Sequence, residues 1–265
     1  NQGIPTYSCD ASGPMDVLAI GRLLRHLRHL QPSIVHSFLF HANVAARLAV
    51  LPAGVSRERL ICEIQTVEIE RRWHLLVGGL TQGMSRYVVG NSPGVVEHLR
   101  RNAHMSPSRL RCVLGGVDVD SVRAAAVVDR SSLPIDDDAA IVLWVGRLDP
   151  VKGLDELLAA FAMVRDSSAA HLLLVGEGAY ESHVRDLIDA SNLADRVHLL
   201  GRRDDVAGLL KAADVFAFPS RTEGLPNALL EAMAAGKAIV TTDVPGCRDL
   251  IRDGRCSRLL RFDCA

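Results

Sequence analysis

PSRTEGLPNALLEAMAAG, residues 219 to 236, is a loop that feeds directly into a helix with two carboxylates near its mouth. Pro226 suits the first helical position, Asn227 to Ala235 are mostly strong helix formers, and Gly236 sits where a left-handed cap belongs. Glu223 therefore precedes the helix and Glu231 lies inside it. The unpaired backbone N–H groups around Gly224 to Asn227 point out of the helix start, where the macrodipole favours an anion such as a phosphate. Gly224 would let that anion approach the backbone closely. Taken alone, the stretch also reads as an ordinary capped helix with two solvated acids.

A second stretch adds cations. GRLDPVKGLDELLAAF, residues 146 to 161, follows the apolar run AIVLWV and opens another helix. Arg147 and Lys152 then stand at the exit of a strand, where two cations can face one diphosphate. The GRL…KG pattern with the two spaced glutamates resembles the nucleotide-sugar-binding half of the retaining glycosyltransferases of family 4, which have the GT-B fold. The resemblance includes GEG at 176 to 178, GRRDDV at 201 to 206 and VPGCRDLI at 244 to 251, with weaker echoes upstream to about His36. The combination in this order is specific, whereas any one piece alone is weak.

The resemblance implies an α/β chain of two Rossmann-like domains whose parallel sheets face each other across a cleft. The expected parts are an incomplete acceptor-side domain over 1–122, a linker over 123–139 and a nucleotide-sugar domain over 140–265, truncated at its end. The chain starts at Asn1 rather than methionine and stops at RLLRFDCA, so it is expected to be a fragment.

Composition bounds the partners. The 265 residues, 48% apolar and 23% charged, are those of a globular protein with room for two cores. A net charge of −1 gives no electrostatic case for nucleic acid. No apolar run approaches the ~20 residues that span a bilayer, and no signal peptide opens the chain, so a cytosolic location is expected. The resemblance adds peripheral attachment to the inner face of the plasma membrane. Cys9, Cys62, Cys112, Cys247, Cys256 and Cys264 form no CxxC pair and read as reduced packing thiols. The histidines show no metal-ligand spacing.

Along the chain, Met15 to Leu30 is helical, with Val17, Leu18, Leu23, Leu24, Leu27 and Leu30 available for a buried face and Arg22, Arg25, His26, Arg28 and His29 on the polar side. In the family such a basic face contacts anionic membrane or a lipid-linked acceptor; an ordinary solvated face is the alternative. SIVHSF (33–38) and RLICEIQTVE (59–68) read as strands, 41–51 and 69–86 as helices. YVVGNSPGVVEHLRRN gives a strand ending at Gly90 and a helix from about Pro93. The resemblance places His36, Gln65 and Ser92 on the acceptor side, with Gln65 where many members carry a histidine. His36 and His41 also read as satisfied structural histidines. Gly115 replaces the asparagine of the family's NGVD turn, and both residues tolerate left-handed backbone.

After the linker, strands are expected near 140–145, 171–175, 196–200, 214–218, 238–242 and 257–260, alternating with helices. That alternation argues a parallel sheet covered on both faces, with ligands beyond the carboxyl ends of its strands. The loops at Gly146 to Lys152, Gly176 to Gly178, Gly201 to Asp205 and Ser220 to Gly224 all fall there.

The reaction implied by the resemblance moves a hexosyl group from a nucleoside diphosphate sugar to a hydroxyl of a saccharide or lipid-linked acceptor, with retention, in cell-envelope or extracellular polysaccharide synthesis. Arg147 and Lys152 would stabilise the departing diphosphate, helped by N–H groups near Gly224 and Leu225. Glu223 would contact the transferred sugar, and Glu231 would accept from the ribose hydroxyls. Gly146, Glu177, Gly201 and Arg202 complete the donor set, with the base against the loops at 176–178 and 201–203. Two cations and a helix N-terminus leave no need for a metal or other cofactor, and Asp204-Asp205 read as a helix cap. A nucleotide-sugar epimerase and a non-catalytic binding protein of the same fold are the alternatives; Gln65 weakens the first, and the intact Arg147, Lys152, Glu223 and Glu231 weaken the second.

Overall fold

A computed structural model describes residues 4–13, 16–66, 72–136, 138–251 and 257–260. Packing divides the chain into two units, Asn1–Leu114 and Gly115–Ala265.

The first unit is a parallel sheet of four strands, β1 (Val35–Phe38), β2 (Leu60–Ile64), β3 (Tyr87–Gly90) and β4 (Leu110–Cys112), in that order. The helices α1 (Val17–Leu30), α2 (Phe40–Val50), α3 (Arg72–Thr81) and α4 (Pro93–Asn102) alternate with them. Val50, Leu60 and Cys62 are fully buried with Leu27 and Ala46 in one cluster, and Val88, Val95 and Leu99 with Met105 and Leu110 in another. Each large aliphatic side chain so buried contributes about 1.5–3 kcal/mol. Pro93 and Ser92 start α4 as the sequence implies, the Ser92 hydroxyl accepting from Val95 N at 3.2 Å.

Two expectations change here. On α1 the buried face is Ala19 and Leu27, flanked by Ile20, Leu23 and Leu24, while Val17, Leu18 and Leu30 are exposed. The apolar face is therefore narrower than the residue types allowed. The helix expected over 69–86 runs from Arg72 to Thr81 and tightens into a 3-10 turn at Gln82–Met84; residues 69–71 lie outside the described residues.

The second unit is a parallel sheet of six strands, β5 (Ile141–Val145), β6 (His171–Val175), β7 (Val197–Gly201), β8 (Val215–Phe218), β9 (Ala238–Thr242) and β10 (Ser257–Leu260). Their order is β10-β9-β8-β5-β6-β7, so the winding reverses between β5 and β8. The intervening helices are α6 (Leu154–Val164), α7 (Glu181–Ala190), α8 (Val206–Ala212), α9 (Asn227–Ala234) and the short α10 (Pro245–Arg248). Trp144, Phe216, Leu143, Leu172 and Leu229 form the core beneath them. β6 is buried along its whole length, as a strand covered on both faces must be.

The segment expected as a linker packs on this unit. Residues 119–124 form α5 (Val119–Ala124), which lies against α8 and α9. The Lys211 ammonium donates to the carbonyls of Arg123 and Ala125 at 2.9 and 2.6 Å, and Arg130 donates to Ala212 O at 3.2 Å. The division between units accordingly falls at Leu114 and Gly115, ahead of the compositional shift. Gly115 does not adopt the left-handed backbone expected of the turn; instead a Cβ there would lie 2.7 Å from Leu225 Cδ2. Close approach rather than backbone sign is its structural need.

Candidate functional site

In an open parallel sheet the crevice where winding reverses is the place for a ligand. β5 and β8 flank that crevice, and the loops leaving them carry Lys152 and Glu223. Asp149 Oδ1 accepts from Val151 N at 3.1 Å and starts a 3-10 turn at Pro150–Lys152. Gly153 ends it with φ +67°, and a Cβ there would lie 1.9 Å from Pro219 O. Only glycine allows the β5 loop to lie this close to the β8 loop. Arg221 N then donates to Val151 O at 2.8 Å, and the Arg221 guanidinium pairs with Glu156.

These contacts set Lys152 Nζ 2.6 Å from Glu223 Oε1, with side chains only 18% and 11% exposed. The ammonium also lies 5.8 Å from the centre of the Phe218 ring. From the other side, Thr242 Oγ1 donates to Ser220 O and Thr241 Oγ1 donates to Phe218 O at 2.8 Å, fixing the strand end from which Glu223 projects. Cys247 is fully buried nearby, and desolvation pushes its thiol up to about 12, so it is a packing group and not a nucleophile. Cys9 and Cys62 are also free thiols, and Cys256 and Cys264 lie outside the described residues.

The helix beyond Glu223 differs by one position from expectation. Pro226 is the N-cap, with ψ 114°, and α9 begins at Asn227. No side chain caps it, so its first amides keep their donors available. Gly236 takes φ +69° and closes the far end, with Lys237 N donating to Ala232 O at 3.1 Å. Gly224 and Leu225 are buried, and Glu231 is half-buried on α9 without an ion-pair partner among the described residues. Desolvation raises its carboxyl above the ordinary glutamate value.

Backbone bonds stitch the remaining donor loops together. Gly146 N donates to Val175 O at 3.0 Å, Leu148 N to Glu177 O at 3.0 Å, and Gly176 N to Gly201 O at 2.8 Å. Gly146, Glu177 and Gly201 therefore share one rim with Lys152 and Glu223. The side chains of Glu177 and Arg202 are exposed there, and Arg147 is 71% exposed with its guanidinium 3.3 Å from Asp149. Asp205 occupies the cap position of α8 but makes no cap bond; Arg203 takes its carboxylate at 2.8 and 2.6 Å. A charge-assisted fork outcompetes a single backbone amide.

The acceptor-side residues belong to the first unit. His36 Nε2 lies 2.9 Å from Glu63 Oε2, and Gln65 Nε2 donates to Glu63 Oε1 at 2.9 Å. Asn91 Nδ2 donates to Gln65 O at 3.2 Å. Glu63 thus organises His36 and Gln65, a role sequence reading missed; its place near the carboxyl end of β2 was the available signal. Ser92 is fully buried as the cap of α4. His41 is exposed and faces the His74 ring edge-on at 5.3 Å.

Comparison with known proteins bears on both units. Residues 2–121 match the model described as Glycosyltransferase Family 4, and residues 139–263 match that described as Glycosyl transferases group 1. The two units are glycosyltransferase domains of the GT-B type. A Campylobacter jejuni relative, an N-acetylgalactosaminyltransferase named for a diphospho-undecaprenol acceptor, is 31% identical over 66% of this chain and 47% of its own length. The phosphatidyl-myo-inositol mannosyltransferase of Mycobacterium tuberculosis is 29% identical over 91% of this chain and 63% of its own. The chain thus spans about half to two thirds of the length of these relatives. Among solved structures, Anabaena HepE in complex with UDP and glucose superposes with a TM-score of 0.81 at 20% identity, covering 91% of this chain and 67% of that one. Sucrose-phosphate synthase from Thermosynechococcus elongatus gives 0.79 at 22% identity, covering 91% and 64%. At these identities the structures establish the fold alone. No helix among the described residues is long and apolar enough to cross a membrane.

Proposed function

We propose that the protein acts as a retaining, metal-independent glycosyltransferase that moves a hexosyl group from a nucleoside diphosphate sugar to an acceptor hydroxyl in cell-envelope or extracellular polysaccharide synthesis. The observation that carries this reading is the Lys152–Glu223 pair, seated at the winding reversal beside the uncapped start of α9. As the bond from the sugar C1 to the diphosphate breaks, its electron pair passes to the phosphate oxygen, and the acceptor oxygen forms the new bond to C1 while its hydroxyl proton passes to that departing phosphate oxygen. Lys152, Arg147 and the amides near Gly224 and Leu225 stabilise the growing negative charge. Glu223, held by Lys152, positions the sugar. Glu231 takes the ribose hydroxyls, and the backbone at 176–178 and 201–203 holds the base.

The acceptor is a saccharide or a lipid-linked saccharide, in keeping with the diphospho-undecaprenol-linked sugar for which the Campylobacter jejuni relative is named. Peripheral membrane contact through α1 rests on Arg25 and His29, both exposed, beside the exposed Val17 and Leu18. Arg22 and Arg28 are already spent on the carbonyls of Cys9 and Pro52, at 2.9 and 2.8 Å. The test is the anomeric configuration of the product, read by NMR from the coupling of its anomeric proton. Retention of the donor configuration supports the reading, and inversion overturns it.

A further inference from the structure

A cavity of about 30 Å³ lies within the first unit, lined by residues of α2, α3 and α4 together with Ile64, Thr66 and Met105. Leu39, Phe40, Ile64, Leu75, Leu99 and Met105 make it largely apolar, and Arg47 lines it as well. Arg47 is 3% exposed. Its NH1 donates to Thr81 Oγ1 at 2.8 Å and reaches Gly78 O at 3.5 Å, but its Nε finds no hydrogen-bond partner. No carboxylate pairs with it among the described residues. Asn43, on the same wall, is satisfied by the Ser37 hydroxyl and the Glu63 carbonyl, at 2.7 and 2.9 Å.

A guanidinium taken out of water costs several kcal/mol unless an anion repays it, and a buried donor left unmade costs about 1–3 kcal/mol. At the start of the same helix, on the cavity wall, the backbone is also out of the ordinary. Leu39 has φ +69° and ψ 165°, a conformation nearly confined to glycine, and it starts α2 without a side-chain cap. A strained residue, an uncapped helix start and an unpaired buried cation therefore border one small cavity.

We propose that this cavity binds an oxyanion, a carboxylate or a phosphate carried by the acceptor, with the Arg47 Nε–H as a principal donor. The assignment to the acceptor rests on reading the chain as a glycosyltransferase. The space suits one such group and no more, since a single water needs roughly 10–15 Å³ on the same measure. Thr66, exposed at the edge of the cavity, is a position where added charge alters entry without disturbing the core.

Arginine-labelled protein tests this by ¹H–¹⁵N NMR. The Nε–H signal of Arg47, assigned by its loss in Arg47→Lys, is followed during titration with sodium phosphate and separately with sodium acetate, against sodium chloride at equal ionic strength. A saturable shift with phosphate or acetate, weakened at least tenfold by Thr66→Glu, is expected, and the tighter of the two names the source of the charge. A signal that stays still, or moves as much with chloride, overturns the proposal. UDP, GDP and ADP added to the same sample read the second unit. Nucleotide binding with an unmoved Arg47 removes only the cavity proposal; a responding Arg47 without nucleotide binding removes the donor reading and leaves the oxyanion site standing.

Discussion

Lys152 and Glu223, 71 residues apart in the chain, meet at 2.6 Å on the two sides of the winding reversal. In the proposed reaction the ammonium is to lie near the diphosphate and the carboxylate is to face the sugar, and the contact between them orients both. Lys152→Ala should therefore cut turnover by about 10²–10³-fold, the loss typical of removing one preorganised electrostatic group. Thermal stability should fall by only about 1–3 kcal/mol, the cost of leaving Glu223 without its partner. Steady-state kinetics beside a denaturation curve separate the two. Activity equal to the parent would remove Lys152 from the mechanism.

Glu231 gives a pH signature. Burial raises its carboxyl, so the folded protein keeps the proton at a pH where the unfolded chain has released it. In the window just above the ordinary glutamate range the unfolded state binds fewer protons, and stability falls as pH rises. Under the proposed role of Glu231, nucleotide affinity should run the other way, because ribose hydroxyls would donate to the carboxylate form. Calorimetry across that window should show affinity rising with pH, and Glu231→Gln should flatten both trends. A parallel pH dependence in the variant would assign the effect elsewhere.

Gly153→Ala should destabilise the second unit by more than about 1 kcal/mol, since it combines positive φ with a clash. The colliding atom is the Pro219 carbonyl oxygen, which is held by backbone and cannot swing aside. Separating the two loops should also loosen the Lys152–Glu223 pair. A chemical denaturation midpoint at the parent's value would show that the loops have slack.

The six strands of the second unit and their loops were legible because each short apolar run is punctuated at its carboxyl end by glycine, proline or a charged group, and burial on both faces leaves little room for another pattern. The direct contact between Lys152 and Glu223 was not. Each residue was singled out for its own loop, and only the adjacency of β5 and β8 in the sheet brings the loops together. The segment 123–139 has the composition of a linker, yet a lysine on α8 and Arg130 anchor it through carbonyl groups that every sequence possesses. Glu63 went unnoticed for a related reason: a carboxylate near a strand end acquires meaning only once His36 and Gln65 are seen on its two oxygens. Nothing in the helical run over 41–51 marks Arg47 for burial, which depends on how α2 meets α3.

The measurement that reaches the central claim most directly is calorimetric titration of this chain and of its Glu231→Ala variant with UDP, GDP and ADP in the presence of EDTA. The account predicts that one of the three nucleotides binds the parent chain without a metal. In the variant the loss of a charged hydrogen-bond acceptor should weaken that binding by about tenfold or more. A folded chain that binds none of them, or a variant that binds as tightly as the parent, would contradict it.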